Sequence, residues 1–332
     1  MTREPQIFNA LNGVTGGVWR EGDAIIKHLR RMAVDADPAW IPSEDPDSWL
    51  YWRREALVYE TQLPQRLGLI GPELLRLTEV ADGVELRIRA FDGRTAGRLT
   101  IDDLTELAES LGRSQGADER PSHQWLSRGF LRQYSTTRSV DDGLRDSDAH
   151  WQLPLVVAEL REPLARLHAN RPELLALSEA LPRTLCHLDV FPNNIFATNE
   201  GVGLIDWAFA GDGAIGEDVG NMIPDSVFDL QFPATQLDEL ESSLVAAYLH
   251  GLRTAGWIGD DRLAVLGVHA SAVKYDWLVP RLLAQAGHES HASYGGVIAD
   301  SQELFQARWA GLALMARWAD LAMVEAEALG LR

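Results

Sequence analysis

The chain has 332 residues, more than one typical hydrophobic core holds, so we expect two domains or lobes. Its formal net charge is −19, from 30 basic and 49 acidic residues, which disfavours a nucleic acid as a partner because like charges repel. The single cysteine, Cys186, excludes an intramolecular disulfide framework, and the sequence has no apolar run of about 18 residues that would predict a membrane span. Because the first residues also lack an apolar signal core, we expect a cytoplasmic protein.

The acidic charge permits two interpretations, which the sequence leaves open. It attracts a cationic substrate over long range, or it only keeps the protein soluble. Lysine is rare, because only Lys27 and Lys274 among the 30 basic residues are lysine. Such a preference for arginine over lysine is typical of a biased genome composition. A lysine that is kept despite this preference indicates a position where the planar guanidinium of arginine does not replace the compact ammonium of lysine.

Residues 12–29 predict a loop that leads into a β-hairpin. The loop, Asn12–Trp19, contains Gly13, Gly16 and Gly17. Val18–Arg20 and Ala24–Leu29 are the predicted strands, joined by a Glu-Gly-Asp turn. Alternation along the second strand puts Lys27 on an apolar face, where an anion would explain it. The alternative is a lysine whose stem covers apolar surface while its ammonium reaches solvent.

A polar loop over 35–47 precedes a predicted helix from Ser48 to about Leu63. Within it, Glu55 lies three or four positions from aromatic residues, so its carboxylate needs a partner. Glu73–Leu77 and Val84–Phe91 predict two strands around an Ala-Asp-Gly turn.

From Thr100 onward the periodicity is helical. Thr100 and Asp103 predict a capping box at the start of a helix whose apolar face includes Leu104 and Leu111. Further helices are predicted over His150–Asn170, Glu173–Leu181, Leu237–Trp257, Arg262–Gln285 and Gln302–Leu329.

Two short motifs permit other functions. Gly112–Gly116 has the Gly-x-Ser-x-Gly spacing of a serine hydrolase around Ser114, but a predicted helix precedes the serine where that motif needs a strand. Gly116 is better explained as the glycine C-cap of that helix. His288 and His291 have a spacing that permits metal binding, in a segment that we predict to be a loop.

Residues 183–207 carry the strongest motif. Two short apolar strands, Arg183–Leu188 and Val202–Ile205, flank a polar loop, so Asp189 and Asp206 each follow a strand. Within that loop a small apolar run, Ile195-Phe196-Ala197, precedes an Asn199-Glu200-Gly201 turn, and a hairpin at this turn brings Asn194 close to Asp206. Carboxylate and amide oxygens without a Cys or His cluster suit Mg²⁺, and the remaining carboxylate is placed to accept a proton from a hydroxyl.

The spacing His187-x-Asp189-x-x-x-x-Asn194, followed by Ile205-Asp206-Trp207, resembles the aminoglycoside phosphotransferase family, the choline-kinase-like relatives of protein kinases. The resemblance implies an α+β, bilobal, protein-kinase-like fold. It comprises a small antiparallel-sheet N-terminal lobe, residues 1–92, which binds nucleotide, and a larger, mainly helical lobe, residues 93–332, with a hinge near Phe91-Asp92-Gly93.

The resemblance also implies roles. Lys27 would hold the nucleotide phosphates under the loop that contains Gly13, Gly16 and Gly17, with Glu55 as its partner and Glu60 as the alternative. Asp189 would be the catalytic base, and Asn194 and Asp206 would hold Mg²⁺. His187 and Asp218 would be structural.

The implied reaction transfers the γ-phosphoryl group of ATP or GTP to a hydroxyl of a small molecule. The acceptor is an aminoglycoside or another cationic amino alcohol or sugar. A non-catalytic nucleotide-binding relative is the alternative, and a serine hydrolase that uses Ser114 is a more distant one.

Overall fold

The protein's structure is a computed structural model, which describes residues 3–6, 8, 12–33, 36–117, 122–138, 142–286, 291–292 and 298–332. In this part of the chain, five strands near the N-terminus form an antiparallel sheet in the order β1-β2-β3-β5-β4. Their bounds are Glu4–Pro5 (β1), Thr15–Glu21 (β2), Ala24–Arg30 (β3), Leu74–Val80 (β4) and Gly83–Arg89 (β5). Two helices, Arg54–Glu60 (α1) and Leu63–Arg66 (α2), lie between β3 and β4 in sequence.

The rest of the chain is mainly helical, as the periodicity predicts. The helices are Ile101–Gly116 (α3), Phe130–Thr137 (α4), Asp148–Trp151 (α5), Arg161–Ala169 (α6), Arg171–Ala180 (α7), Glu217–Phe228 (α8), Leu237–Thr254 (α9), Asp261–Ala270 (α10), Leu278–Gln285 (α11) and Ser301–Ala328 (α12). Among the described residues, no helix combines the length and the apolarity needed to cross a membrane.

Short strands in the helical part position the central motif. They are Arg94–Thr95 (β6), Ser127–Arg128 (β7), Arg183–Cys186 (β8), Ile195–Thr198 (β9), Gly201–Leu204 (β10), Gly211–Ala214 (β11), His291–Ala292 (β12) and Ile298–Ala299 (β13). The hairpin of β9 and β10 brings Asn194 opposite Ile205, whose N–H donates to the Asn194 carbonyl at 2.9 Å. β5 ends at Arg89 and β6 begins at Arg94, and the predicted lobe boundary at residue 92 stays a prediction.

Helices α3 and α9 approach closely because glycines line their contact. A Cβ on Gly112 would lie 2.2 Å from the Tyr248 carbonyl oxygen, and one on Gly251 would lie 2.1 Å from that of Glu109. Gly116 is the last residue of α3 and also faces α9, at Leu252. Its missing side chain therefore serves helix packing, and the cap that follows is Ala117 with an extended backbone, so the prediction of Gly116 as a glycine C-cap was wrong.

The helix predicted from Ser48 begins only at Arg54. The buried Arg54 guanidinium takes the carbonyl oxygens of Pro46, Ser48 and Trp49 as acceptors, which holds this stretch in turns instead of a helix. The Ser48 hydroxyl accepts from the Leu50 N–H within such a turn.

Two other predicted helices are each divided. The one over 150–170 becomes α5 and α6, and Pro163 lies in the first turn of α6, where proline is tolerated, so it does not kink the helix. The one over 262–285 becomes α10 and α11, separated by the 3₁₀ turn Ser271–Tyr275. Apolar periodicity continues across both interruptions, and so it did not reveal them.

Candidate active site

Lys27, Glu55 and Asp206 form a buried cluster of charges. The Lys27 Nζ lies 2.6 Å from Glu55 Oε2 and 2.8 Å from Asp206 Oδ1. The side chains of Lys27 and Glu55 are 9% and 3% exposed, whereas that of Asp206 is 37% exposed. Burial alone lowers the pKa of the Lys27 ammonium, but the charges of Asp206 and Glu55 outweigh it, so the pKa is raised. The cluster therefore presents a permanently charged lysine next to a carboxylate that solvent reaches.

Three different elements supply this cluster. Lys27 is in β3, which pairs with β2 on one side and β5 on the other. Glu55 is in the first turn of α1, and Asp206 follows β10 with a left-handed backbone, φ 60°. Glu60, the other candidate partner of Lys27, is exposed at the end of α1.

Tyr59 lies next to this cluster, and the sequence analysis gave it no role beyond that of an aromatic neighbour of Glu55. Its side chain is 1% exposed, one turn after Glu55 on the same face of α1. Burial, together with the charges of Glu55 and Asp206, raises the pKa of its hydroxyl well above the ordinary value. The four-residue spacing from Glu55 was the available signal.

Asp189 and Asn194 lie side by side. The Asn194 Nδ2 donates to the Asp189 carbonyl oxygen at 3.0 Å and to its Oδ2 at 3.1 Å. Burial raises the pKa of the Asp189 carboxyl, the charge of Lys274 opposes this, and the charge of Asp206 adds to it. With its amide nitrogen used in this way, Asn194 keeps its amide oxygen for another partner.

His187 holds the two halves of the motif together. Its Nε2 lies 2.9 Å from the Ile205 carbonyl oxygen, and its Nδ1 accepts from the Asp189 N–H at 3.2 Å. A carbonyl only accepts, so Nε2 donates the proton of this contact. The Trp207 ring packs against it with a centroid distance of 4.5 Å. The imidazole thus fixes the backbone beside Asp189 and Asp206.

Asp218, at the start of α8, binds the backbone of the same segment. Its carboxylate accepts from the N–H groups of His187 and Leu188, at 2.9 and 2.7 Å, and is fully buried. It also accepts from the Gln115 amide at 2.8 Å, and the Gln115 Oε1 in turn accepts from the Tyr248 hydroxyl at 2.5 Å. The sequence analysis missed Gln115 and Tyr248. The available signal for Gln115 was its position, because this polar residue lies four positions after Leu111 on the otherwise apolar face of α3.

The glycines of the predicted loop are explained by packing. Gly16 and Gly17 belong to β2, not to a loop, because this strand begins at Thr15. A Cβ on Gly13 would lie 2.4 Å from the Trp40 carbonyl oxygen, and one on Gly17 would lie 2.3 Å from the Trp19 ring. The prediction of a free loop was wrong for Gly16 and Gly17, because pairing with β3 continues to Thr15, whereas Gly13 precedes the strand.

The alternative motifs have different outcomes. Ser114 lies inside α3, so the strand-to-helix turn of a serine hydrolase is absent there. His288 lies outside the described residues, and so does the alternative metal site built on it.

The oxygen donors of Asn194 and Asp206 fit Mg²⁺. In the part of the chain that the structure describes, no group of three or more His, Cys, Asp or Glu side chains is placed to hold a metal ion. Mg²⁺ does not need such a group, because one or two protein oxygens with substrate phosphates and water complete its shell. An exposed carboxylate and an amide oxygen on neighbouring segments meet this requirement.

Comparisons with known proteins give the family and the fold of this chain. The chain is 31% identical over 190 residues to a homoserine kinase of Hyphomonas neptunium, which is 55% of this chain and 54% of that protein. The chain therefore spans about half the length of the curated relative it matches.

Two solved structures show the fold. An aminoglycoside phosphotransferase from Alicyclobacillus acidocaldarius has 15% identity and a TM-score of 0.55, with 100% of this chain and 93% of that one covered. A choline/ethanolamine kinase family protein from Mesorhizobium loti has 15% identity and a TM-score of 0.54, with 97% and 92% covered. The predicted α+β, kinase-like fold is confirmed.

The model of the phosphotransferase enzyme family (APH) matches residues 43–258, which is more than half of the chain and includes Glu55, Asp189, Asn194 and Asp206. The chain belongs to this family.

Proposed function

We propose that the protein is a small-molecule kinase that transfers the γ-phosphoryl group of ATP or GTP to a hydroxyl of its acceptor. The observation that carries this proposal is the juxtaposition of two pairs, Asp189 with Asn194 and Lys27 with Asp206, through the backbone contacts of Ile205. Phosphoryl transfer needs mainly positioning and charge stabilisation, and these residues supply both.

Lys27 binds the α- and β-phosphates, in an N-terminal lobe over residues 1–92. Its raised pKa keeps it charged, and Glu55 holds the ammonium in place at 2.6 Å. The segment that contains Gly13, Gly16 and Gly17, on the neighbouring strand and its approach, would cover the phosphates through its backbone.

Asp189 acts as the general base in the larger lobe, residues 93–332. It orients the acceptor hydroxyl and takes its proton as the phosphoryl group is transferred. Asn194 fixes the Asp189 carboxylate through the 3.1 Å hydrogen bond and, with Asp206, would hold Mg²⁺. When bound, Mg²⁺ neutralises charge on the phosphates.

The acceptor is a small amino alcohol or aminated sugar. The net charge of −19 favours a cationic acceptor through long-range attraction. The homoserine kinase of Hyphomonas neptunium makes homoserine the first compound to test, and aminoglycosides and choline follow.

The test is a panel of these alcohols with Mg·ATP and Mg·GTP, in which nucleoside diphosphate release is followed and the product is identified by its added phosphoryl mass. We expect acceptor-dependent release that stops when the metal is chelated. A non-catalytic relative would bind nucleotide without any turnover, and a hydrolase would not need metal or nucleotide.

A further inference from the structure

Leu188, the residue directly before Asp189, has a strained backbone. Its φ of 69° lies in the left-handed region, which costs a branched residue about 1–2 kcal/mol. Its side chain is fully buried, so packing holds it on one side. A conformation of this kind persists only where the surroundings hold it, and such strain is concentrated at functional sites.

Two buried charges hold the polar groups of Leu188. The Leu188 N–H donates to Asp218 Oδ1 at 2.7 Å. The Leu188 carbonyl oxygen accepts from the Nζ of Lys274 at 3.4 Å. The next N–H in the chain, that of Asp189, donates to His187 Nδ1 at 3.2 Å. The peptide that joins Leu188 to Asp189 is therefore held at its oxygen by Lys274 and at its nitrogen by His187.

Lys274 is poorly explained as a structural ion pair alone. It is 1% exposed, in the 3₁₀ turn between α10 and α11, and its nearest carboxylate, Asp225, is 4.0 Å away. The Asp225 Oδ2 already accepts from the Tyr275 hydroxyl at 2.6 Å. The contact of Lys274 with the Leu188 carbonyl is shorter than its contact with this carboxylate.

The surroundings of Lys274 explain why the residue is a lysine. Its Nζ lies 5.8 Å from the ring centroid of Phe130, 5.7 Å from that of Tyr134 and 5.1 Å from that of Tyr275. Aromatic faces stabilise a compact ammonium within about 6 Å. A guanidinium has five donors and a larger planar group, which this site of one carbonyl, one carboxylate and three rings would leave partly unpaired.

We propose that Lys274 is a positioning residue for phosphoryl transfer, which pins the Leu188–Asp189 peptide and so aims the Asp189 carboxylate at the acceptor hydroxyl. This inference rests on the proposed role of Asp189. It assigns a function to one of the two lysines of the chain, which lies outside the nucleotide and metal contacts proposed above.

Lys274→Met tests the inference, because methionine keeps most of the volume and removes the donor. We expect kcat to fall by about 10- to 100-fold, since a misplaced catalytic group costs this much, while the KM for nucleotide changes less than about threefold. Hydrogen exchange at the Asp189 amide becomes faster. Arg308→Met is the matched control, because Arg308 is 8% exposed and donates to the Phe228 carbonyl and to Asp229 instead. Its kcat stays near that of the wild type.

A double variant removes the unpaired carboxylate that Lys274→Met leaves behind. Lys274→Met/Asp225→Asn is neutral at both positions, which protects folding, and we expect it to keep the loss of kcat. Recovery of the wild-type kcat in the double variant would show that the unpaired Asp225 caused the loss, and would overturn the inference. An unchanged kcat in a folded Lys274→Met would overturn it as well. A wild-type chain without any transfer would overturn the proposed function, and this inference with it.

Discussion

The ammonium of Lys27 lies 2.8 Å from the carboxylate of Asp206, which joins the N-terminal sheet to the segment that follows β10. The same ammonium lies 2.6 Å from Glu55. Of these three side chains, Asp206 is the one that solvent reaches. A phosphate that binds Lys27 therefore has to approach from the side of Asp206. A metal ion bound to the Asp206 carboxylate would contact the phosphate there.

Glu55→Gln should weaken nucleotide use without unfolding the chain. It removes the charge that pairs with Lys27 at 2.6 Å, so we expect the nucleotide KM to rise about tenfold or more, equivalent to about 1.4 kcal/mol. Steady-state kinetics with varied nucleotide measure this. Glu60→Gln, at an exposed position of the same helix, is the control and should behave as the wild type. Equal KM values for Glu55→Gln and the wild type would remove Glu55 from the phosphate site.

Asp206→Asn distinguishes the role of Asp206 in binding the metal ion from its contact with Lys27. Losing the carboxylate should lower the affinity for Mg·ATP by about tenfold or more, equivalent to about 1.4 kcal/mol. The affinity for ATP in the presence of a chelator should not fall, because the variant also frees Lys27 from a competing negative charge. Calorimetric titration in both conditions gives the two values. Parallel losses with and without metal would count against Asp206 as a metal ligand.

Gln115→Leu should weaken the hydrogen-bond network that holds the backbone directly before Asp189. It removes the hydrogen bonds of Gln115 with the Tyr248 hydroxyl and with Asp218, which costs about 1–3 kcal/mol of unfolding free energy. Urea unfolding measures the loss, and kcat should decrease more than the KM values change. Because both side chains belong to one network, Gln115→Leu/Tyr248→Phe should destabilise less than the sum of the single variants. Strict additivity would show that the two act independently.

His269 should make the stability depend on pH. Burial lowers its pKa to about 4, below the ordinary 6.5, with smaller effects from Glu241 and Arg317. Between these values the unfolded chain binds the proton that the folded chain excludes, so stability decreases as the pH falls from 6.5 towards 4, by at most about 3 kcal/mol. Unfolding measured at pH 7 and pH 5 should show a smaller difference for His269→Leu. The same difference in both proteins would contradict the prediction.

The sequence predicted the hairpin of the central motif better than it predicted the local structure around it. Asp189, Asn194 and Asp206 stand at fixed spacings, and the hairpin of β9 and β10 follows from two short apolar runs with a turn between them. The helix interruptions before Arg54 and around Lys274 were not predictable from periodicity. The first depends on a guanidinium that binds distant carbonyls, including that of Ala208, and the second contains Lys274, whose ammonium binds a carbonyl 86 positions away.

The hydrogen bonds that hold the motif in place were also not predictable from the sequence. Gln115 and Tyr248 are 133 positions apart and meet because Gly112 and Gly251 let their helices touch. Such contacts arise from tertiary packing, so no local pattern predicts the partner, although a polar residue on the apolar face of α3 indicates that one exists.

The most direct test of the account compares the wild type with Asp189→Asn in acceptor-dependent release of nucleoside diphosphate from Mg·ATP or Mg·GTP. We expect the wild type to turn over with at least one amino alcohol or aminated sugar. We expect Asp189→Asn to lose about 100-fold or more in kcat, the lower range for removal of a general base, and still to bind nucleotide. Turnover by Asp189→Asn at the wild-type rate would contradict it.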